Sequence, residues 1–302
     1  MDIRQLQYLA ALAREKHFTR AAAACNVTQP TLSGRIRQLE LSLGVPIVER
    51  GQRYQGFTAE GEKVLKWAHV ILSDWQSMLR ELKQLSNQEG GLTGRLVLGA
   101  IPSALPMLPL LTKEIWKLHP NVEFTIQSFS TEQIIRSLTD FSADVGVGYL
   151  DNEPLNGFLT TPLYTERYCL FVSDDHALAA RENVTWREAA ENPLSLLTPN
   201  MQNRRIIDRA FQMANCRPVP LIETDSVMNL CSNVRVMGLA SIMPEYISEV
   251  LGLNSGIRAL PLVEPKIEHS VGLIIADRDP LSPLIVALRV AAQTLSSKNE
   301  RA

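Results

Sequence analysis

Between positions 29 and 37 the sequence QPTLSGRIR carries Gln29, Pro30, Thr31, Ser33, Arg35 and Arg37, a set of short polar, hydroxyl and cationic groups at helical spacing. Leu32, Ile36, Leu39 and Leu43 follow one another at steps of four, three and four, so they form a buried line and leave the polar set on the other side. Amide, hydroxyl and guanidinium groups on one helix face suit base edges and phosphates in the DNA major groove. An ordinary solvated helix face is the alternative for such a helix taken alone. A second set is dispersed along the chain: Ser103, Thr131, Tyr149, Thr198, Met201, Gln202, Asn203 and Thr224 each follow a strand-like run or stand just before a helix. In open α/β sheets ligands bind beyond the carboxyl ends of the strands, so these residues are candidates for a small-molecule site, although each one alone would equally serve as a helix cap.

Other chemistries find little support. The five histidines lack metal-ligand spacing, and neither a GxSxG nor a strand-borne GxGxxG occurs. No cofactor and no metal are expected. Cys25, Cys169, Cys216 and Cys231 are never paired as CxxC; Cys216, beside a proline-rich stretch, is the candidate for exposure. Charge is unevenly divided. Residues 1–66 hold ten Lys and Arg against six Asp and Glu, although the 302-residue chain has a net charge of −2. Phosphate attraction depends on the local field of the docking module, so the whole-chain sum does not oppose DNA binding. No apolar run reaches a membrane-spanning length and the N-terminus does not read as a signal peptide, so a cytoplasmic protein without a membrane partner is expected.

The elements that must position the first set read as follows. An amphipathic helix carries Ile3, Leu6, Leu9 and Ala13; Thr19 is expected to cap an alanine-rich second helix ending at Asn26; Thr28 caps the third, with Pro30 in its first turn. LGVPIVERGQRYQGFT reads as two short strands around a turn, a wing on which Arg50 and Arg53 would clamp phosphates. Thr58 is expected to cap a long helix that ends before Gly90 and Gly91. Along it Leu65, Ala68, Leu72, Trp75, Leu79 and Leu82 form a heptad seam, and Val64, Ile71, Met78 and Leu85 a second line. Such a stripe fits dimerisation or packing within one chain, and a two-fold dimer would match paired operator half-sites. From residue 93 strands alternate with helices of 10–15 residues, which means parallel α/β structure.

The run FTRAAAACNVTQPTLSGRIRQLELSLGVPIVER, followed by FTAEG, resembles the N-terminus of LysR-type transcription regulators over residues 1–61. Two positions depart from the family pattern: Gly34 stands where a long polar side chain is common, and Ile47–Val48 replaces Leu-Phe. LVLGAIPS, ADVGVG, VSDDHALA, NRRIIDRAF, ETDS and VRVMGLASIMP are similar to the effector domain of that family, which is like periplasmic solute-binding folds. The resemblance implies a winged helix-turn-helix over residues 1–58, a linker and dimerisation helix over 59–89, and an effector domain over 93–302. The last would form two Rossmann-like lobes, lobe I at about 93–162 and 267–302 and lobe II at about 163–266. It also implies double-stranded promoter or operator DNA as a partner, self-association as a dimer and tetramer, and RNA polymerase as a candidate contact. The expected function is sequence-specific transcription regulation controlled by a small effector in the interlobe cleft. Helix N-termini and Arg204, Arg205 and Arg209 make a small anion or carboxylate the expected ligand. A solute-binding protein or an enzyme on the same α/β domain is the alternative.

Overall fold

The computed structural model describes residues 1–49, 54–86, 91–152, 154–253 and 255–299. The chain divides into two compact units, residues 1–89 with 139–142, and residues 90–138 with 143–302.

In the first unit α1 (Ile3–Glu15) starts at a capping box, in which Asp2 accepts from the Gln5 backbone and the Gln5 side chain accepts from the Asp2 backbone. The cap of α2 (Phe18–Ala24) differs from expectation. His17, not Thr19, is its N-cap: His17 Nδ1 accepts from the Thr19 backbone N–H at 3.2 Å. Asn26, at φ 54°, turns the chain out of α2, and Thr28 caps α3 (Gln29–Leu43), with Pro30 in its first turn. Leu32, Ile36 and Leu39 are buried against α1 and α2, whereas Leu43 at the end of their line is exposed. The wing is reduced to one antiparallel bridge between Val48 and Phe57 among the described residues. Its first strand is anchored by Glu40, whose Oε1 accepts from the backbone N–H groups of Ile47 and Val48 at 2.8 and 3.1 Å. Thr58 Oγ1 accepts from Gly61 N at 2.9 Å and so caps α4 (Ala59–Ser86). Gly61 is needed there for close approach, because a Cβ would lie 2.0 Å from the Ile47 carbonyl oxygen.

The second unit runs β1 (Gly94–Ala100), a 3-10 turn (Leu105–Met107), α5 (Leu108–Leu118), β2 (Val122–Ser128), α6 (Thr131–Thr139), β3 (Val145–Tyr149) and β4 (Phe158–Ser173). It continues with β5 (Val184–Thr185), α7 (Trp186–Ala190), β6 (Leu194–Leu197), α8 (Gln202–Met213), β7 (Ile222–Thr224) and α9 (Val227–Met237). Last come β8 (Ala240–Pro244), α10 (Tyr246–Val250), β9 (Ile257–Val263), β10 (Glu268–Ala276) and α11 (Pro283–Asn299). The strand order is β2-β1-β3-β10-β4-β8-β6-β7, with β9 on β4 and β5 on β9. The outer strands on each side pair in parallel, as the alternating pattern requires.

Two antiparallel strands join the halves. YCLFVS, read from sequence as a strand of its own, is the second half of the 16-residue β4. Phe158–Arg167 of β4 pairs with β10, and from Tyr168 onward β4 pairs with β8 and β9 instead. The change of partner falls between Arg167 and Tyr168, so the residues around it stand at the boundary of the two lobes.

Candidate effector cleft and DNA interface

On α3, Gln29, Pro30, Thr31, Arg35 and Arg37 are exposed and Ser33 is half-buried, so the polar set shares the surface opposite Leu32, Ile36 and Leu39. Two of these groups are already engaged. Thr31 Oγ1 lies 2.8 Å from Thr28 Oγ1, and Arg35 reaches Asp2 at 3.5 Å. A side chain at position 34 would meet nothing within 4 Å, so Gly34 leaves open space in mid-face. Arg50 and Arg53 lie outside the described residues. On α4, Ala68 is buried and Leu65 and Leu72 pack beside it against the cluster of Leu6, Leu9 and Leu39. Trp75, Met78, Leu79 and Leu82, further along, are exposed. One chain therefore covers the first half of the stripe and leaves the second bare.

In the second unit Ser103, Thr131, Tyr149, Gln202 and Asn203 are buried around the change of lobes. Thr131, at the start of α6, donates to Gln202 Oε1 at the start of α8, a bond from lobe to lobe. Asn203 Nδ2 donates to the Tyr149 hydroxyl at 3.1 Å, and the Tyr246 hydroxyl donates to the Ser103 carbonyl. The remaining three candidates go elsewhere. Thr198 N bonds the Thr224 carbonyl at 2.9 Å, Thr224 Oγ1 accepts from Ser226 N, and Met201 packs with Cys169, Phe171 and Leu197. They shape the loop before α8 and do not join the polar network.

At the centre stands Glu166, which the sequence reading missed. It is fully buried on β4. Its Oε1 accepts from the Tyr149 hydroxyl and from Asn203 Nδ2, and Tyr149 and Tyr168 hydroxyls are 3.2 Å apart. Burial pushes the carboxyl up to about 7, outweighing the opposite pull of Tyr149, Tyr168, Asn203 and Ser103. Burial and the Glu166 charge hold the hydroxyls of Tyr149, Tyr164 and Tyr168 far above their ordinary range. Among the described residues three buried side-chain atoms have no partner in good hydrogen-bonding geometry, Ser241 Oγ and, within this network, Glu166 Oε2 and Ser103 Oγ, although Ser103 is near enough to Glu166 to act on its pKa. The signal for Glu166 was the spacing Tyr164-Thr-Glu166-Arg-Tyr168, which puts two tyrosines and a carboxylate on one face of a strand.

Of the three arginines expected to favour an anion, Arg204, the buried one, is committed. Arg204 donates to Asp208 at 2.8 Å, to Glu223 at 2.7 Å and to the Leu197 carbonyl at 2.8 Å. Among the described residues no three His, Cys, Asp or Glu side chains are grouped to hold a metal ion, and no helix is long and apolar enough to cross a membrane. The Cys169 and Cys231 thiols are buried; burial raises both, that of Cys169 to about 12.

Two family profiles match the chain. One, described as a bacterial regulatory helix-turn-helix protein of the lysR family, covers residues 3–62. The other, the LysR substrate binding domain, covers residues 89–295. The chain belongs to the LysR family. Like other members, this LysR-family protein is a DNA-binding transcription regulator with an effector-binding domain, and not an enzyme. It is 30% identical over 283 residues to a hydrogen peroxide-inducible genes activator of Haemophilus influenzae, an alignment covering 93% of this chain and 92% of that one. Its fold is shared by a full-length OxyR variant of Pseudomonas aeruginosa, with a TM-score of 0.73 and 24% identity over 97% of this chain and 98% of that one. Full-length CbnR complexed with its target DNA gives a TM-score of 0.68 at 17% identity, covering 98% of this chain and all of the other.

Proposed function

We propose that this regulator reads promoter or operator DNA with α3 and responds to a small molecule held between the lobes by Ser103, Thr131, Tyr149, Gln202, Asn203 and Glu166. One observation carries the cleft assignment: side chains from just after β1, from the end of β3, from the middle of β4 and from the starts of α6 and α8 converge on one buried polar network. A polar network spanning two lobes makes their closure sensitive to anything that replaces one of its bonds. In the DNA-binding unit Gln29, Pro30, Thr31, Ser33, Arg35 and Arg37 face the groove, with Arg50 and Arg53 on phosphates. The bare half of α4, with Trp75, Leu79 and Leu82, pairs with the same helix of a second copy, and residues 59–89 thus serve as linker and dimerisation helix. Self-association to a tetramer, contact with RNA polymerase and a cytoplasmic location follow from family membership. The likeness to a peroxide-inducible activator does not extend to a thiol sensor at Cys169 or Cys231, because a buried thiol with a raised pKa is protonated and unreactive.

The test is in living cells. Genomic DNA fragments are first selected with the purified protein, and occupancy of the selected sites is then followed across carbon and nitrogen sources. Wild-type occupancy should change with condition, and that of Thr131→Val, which loses the bond to Gln202, should not. A variant that responds like the wild type would remove the cleft from the control of DNA binding.

A further inference from the structure

We propose that the cleft of this regulator takes a small organic cation, an alkylammonium or guanidinium, whose N–H groups are held by Glu166 between the two lobes. The inference rests on the cleft reading above and adds the charge of the ligand. Its first support is a pair of buried atoms in one network, Glu166 Oε2 and Ser103 Oγ: neither makes a hydrogen bond of good geometry, although Ser103 lies near enough to Glu166 to pull its pKa down. An ionised carboxylate only accepts, and a hydroxyl oxygen accepts as readily as it donates, so the missing component is a donor. An ammonium brings three N–H groups and a guanidinium five.

The second support is the charge balance. No cationic side chain among the described residues pairs with Glu166, since Arg204, the buried cation on α8, is bound by Asp208, Glu223 and a carbonyl. An anionic ligand would be desolvated next to a buried carboxylate, and like charges in such surroundings repel. A cation would instead supply the counter-charge that Glu166 lacks. The third support is the composition of the surrounding wall. Hydroxyls of Tyr149, Tyr164, Tyr168 and Tyr246 are linked in pairs around Glu166 and the Ser103 carbonyl, and all four are kept protonated by burial. Their oxygens offer further neutral acceptors. His269 stands against Tyr149 and Tyr168 and is turned to Asp151 at 3.2 Å, so it too is flanked by a carboxylate.

The free carboxyl, pushed up to about 7, binds a proton in part near neutrality. A cation seated on Glu166 displaces that proton, so binding below about pH 7 should release protons to the buffer.

The experiment uses the full chain and three matched probes, 1,4-diaminobutane, butane-1,4-diol and succinate, read by thermal unfolding and by calorimetry in two buffers of different ionisation heat. At about 10 mM, a hundredfold above a dissociation constant of about 0.1 mM, the diamine should raise the melting transition by a few degrees and release protons at pH 6. The diol and succinate should do neither. Glu166→Gln, which keeps shape and hydrogen bonding but not the charge, should lose the diamine response. Agmatine, carrying both cation types, serves as the second cationic probe. A response to neither cation, or a diamine response unchanged in Glu166→Gln, overturns the inference. Binding of succinate that is lost in Thr131→Val would overturn it while keeping the cleft. Binding of any probe that ignores both Glu166 and Thr131 would overturn the cleft reading itself.

Discussion

The polar face of α3 and the interlobe network place the candidate functional side chains in opposite environments. On α3 the polar residues 29–37 are neighbours in sequence and exposed, while the apolar line beneath them fixes the helix. In the cleft the groups come from positions between 103 and 246, and Ser103, Thr131, Tyr149, Glu166, Gln202 and Asn203 are buried. Exposed chemistry can change without disturbing the fold. Buried chemistry cannot, because each polar group removed from water must be satisfied by another. The two sites should therefore separate cleanly in experiment: substitutions on α3 should act on affinity alone, and those in the cleft on stability and response together.

The largest effect is expected at Glu166. Its carboxyl lies near 4.5 when unfolded and about 7 when folded. A raised carboxyl pKa means that stability is full below about 4.5 and is lost as pH rises through about 7. The shift corresponds to about 3 kcal/mol between pH 4.5 and pH 8. Urea unfolding of the wild type and of Glu166→Gln at a series of pH values should show this loss in the wild type and not in the variant. Parallel curves would mean that Glu166 is better solvated than its burial implies, and the contrast between the two sites would narrow.

A smaller effect belongs to α3. Gln29→Ala should cost about 1–3 kcal/mol on selected DNA and little on random DNA. Its folding stability should change by less than about 0.5 kcal/mol, as for other exposed positions. Equal losses on both DNAs would turn Gln29 from a base reader into a general contact.

The smallest change in stability within one chain is expected at Leu79, which is 40% exposed on α4. Leu79→Asp should leave the melting of the isolated chain almost unaltered but lower the sedimenting mass at micromolar concentration, because the charge would be buried only against a second copy. An unchanged mass would return the heptad stripe to packing within one chain.

Much of this was legible in the residues. Thr28 and Thr58 announce their helices because a cap is a local bond between neighbours, and both hydroxyls accept as expected. The Thr19 assignment failed for a local reason as well: His17, two positions earlier, offers a ring nitrogen that caps equally well. Ser103, Thr131 and Tyr149 could be chosen because strand ends recur by rule in alternating α/β chains. Thr198, Met201 and Thr224 satisfied the same rule and yet bond or pack among themselves, since a rule about strand ends does not say which way a side chain turns.

Periodicity and capping thus determined from sequence alone the helix-turn-helix, the long helix, the alternating sheet and the exposed polar face of α3. All of these depend on residues a few positions apart. The tertiary structure alone decided that Arg204 is also held by Glu223, and that Glu166 rather than a cation lies at the heart of the interlobe network. Glu223 is 19 positions from Arg204, and Tyr149 and Asn203 are 17 and 37 positions from Glu166, which meets them where β4 changes sheet partners. The charge of a site is set by what surrounds it in space, and no local spacing records that.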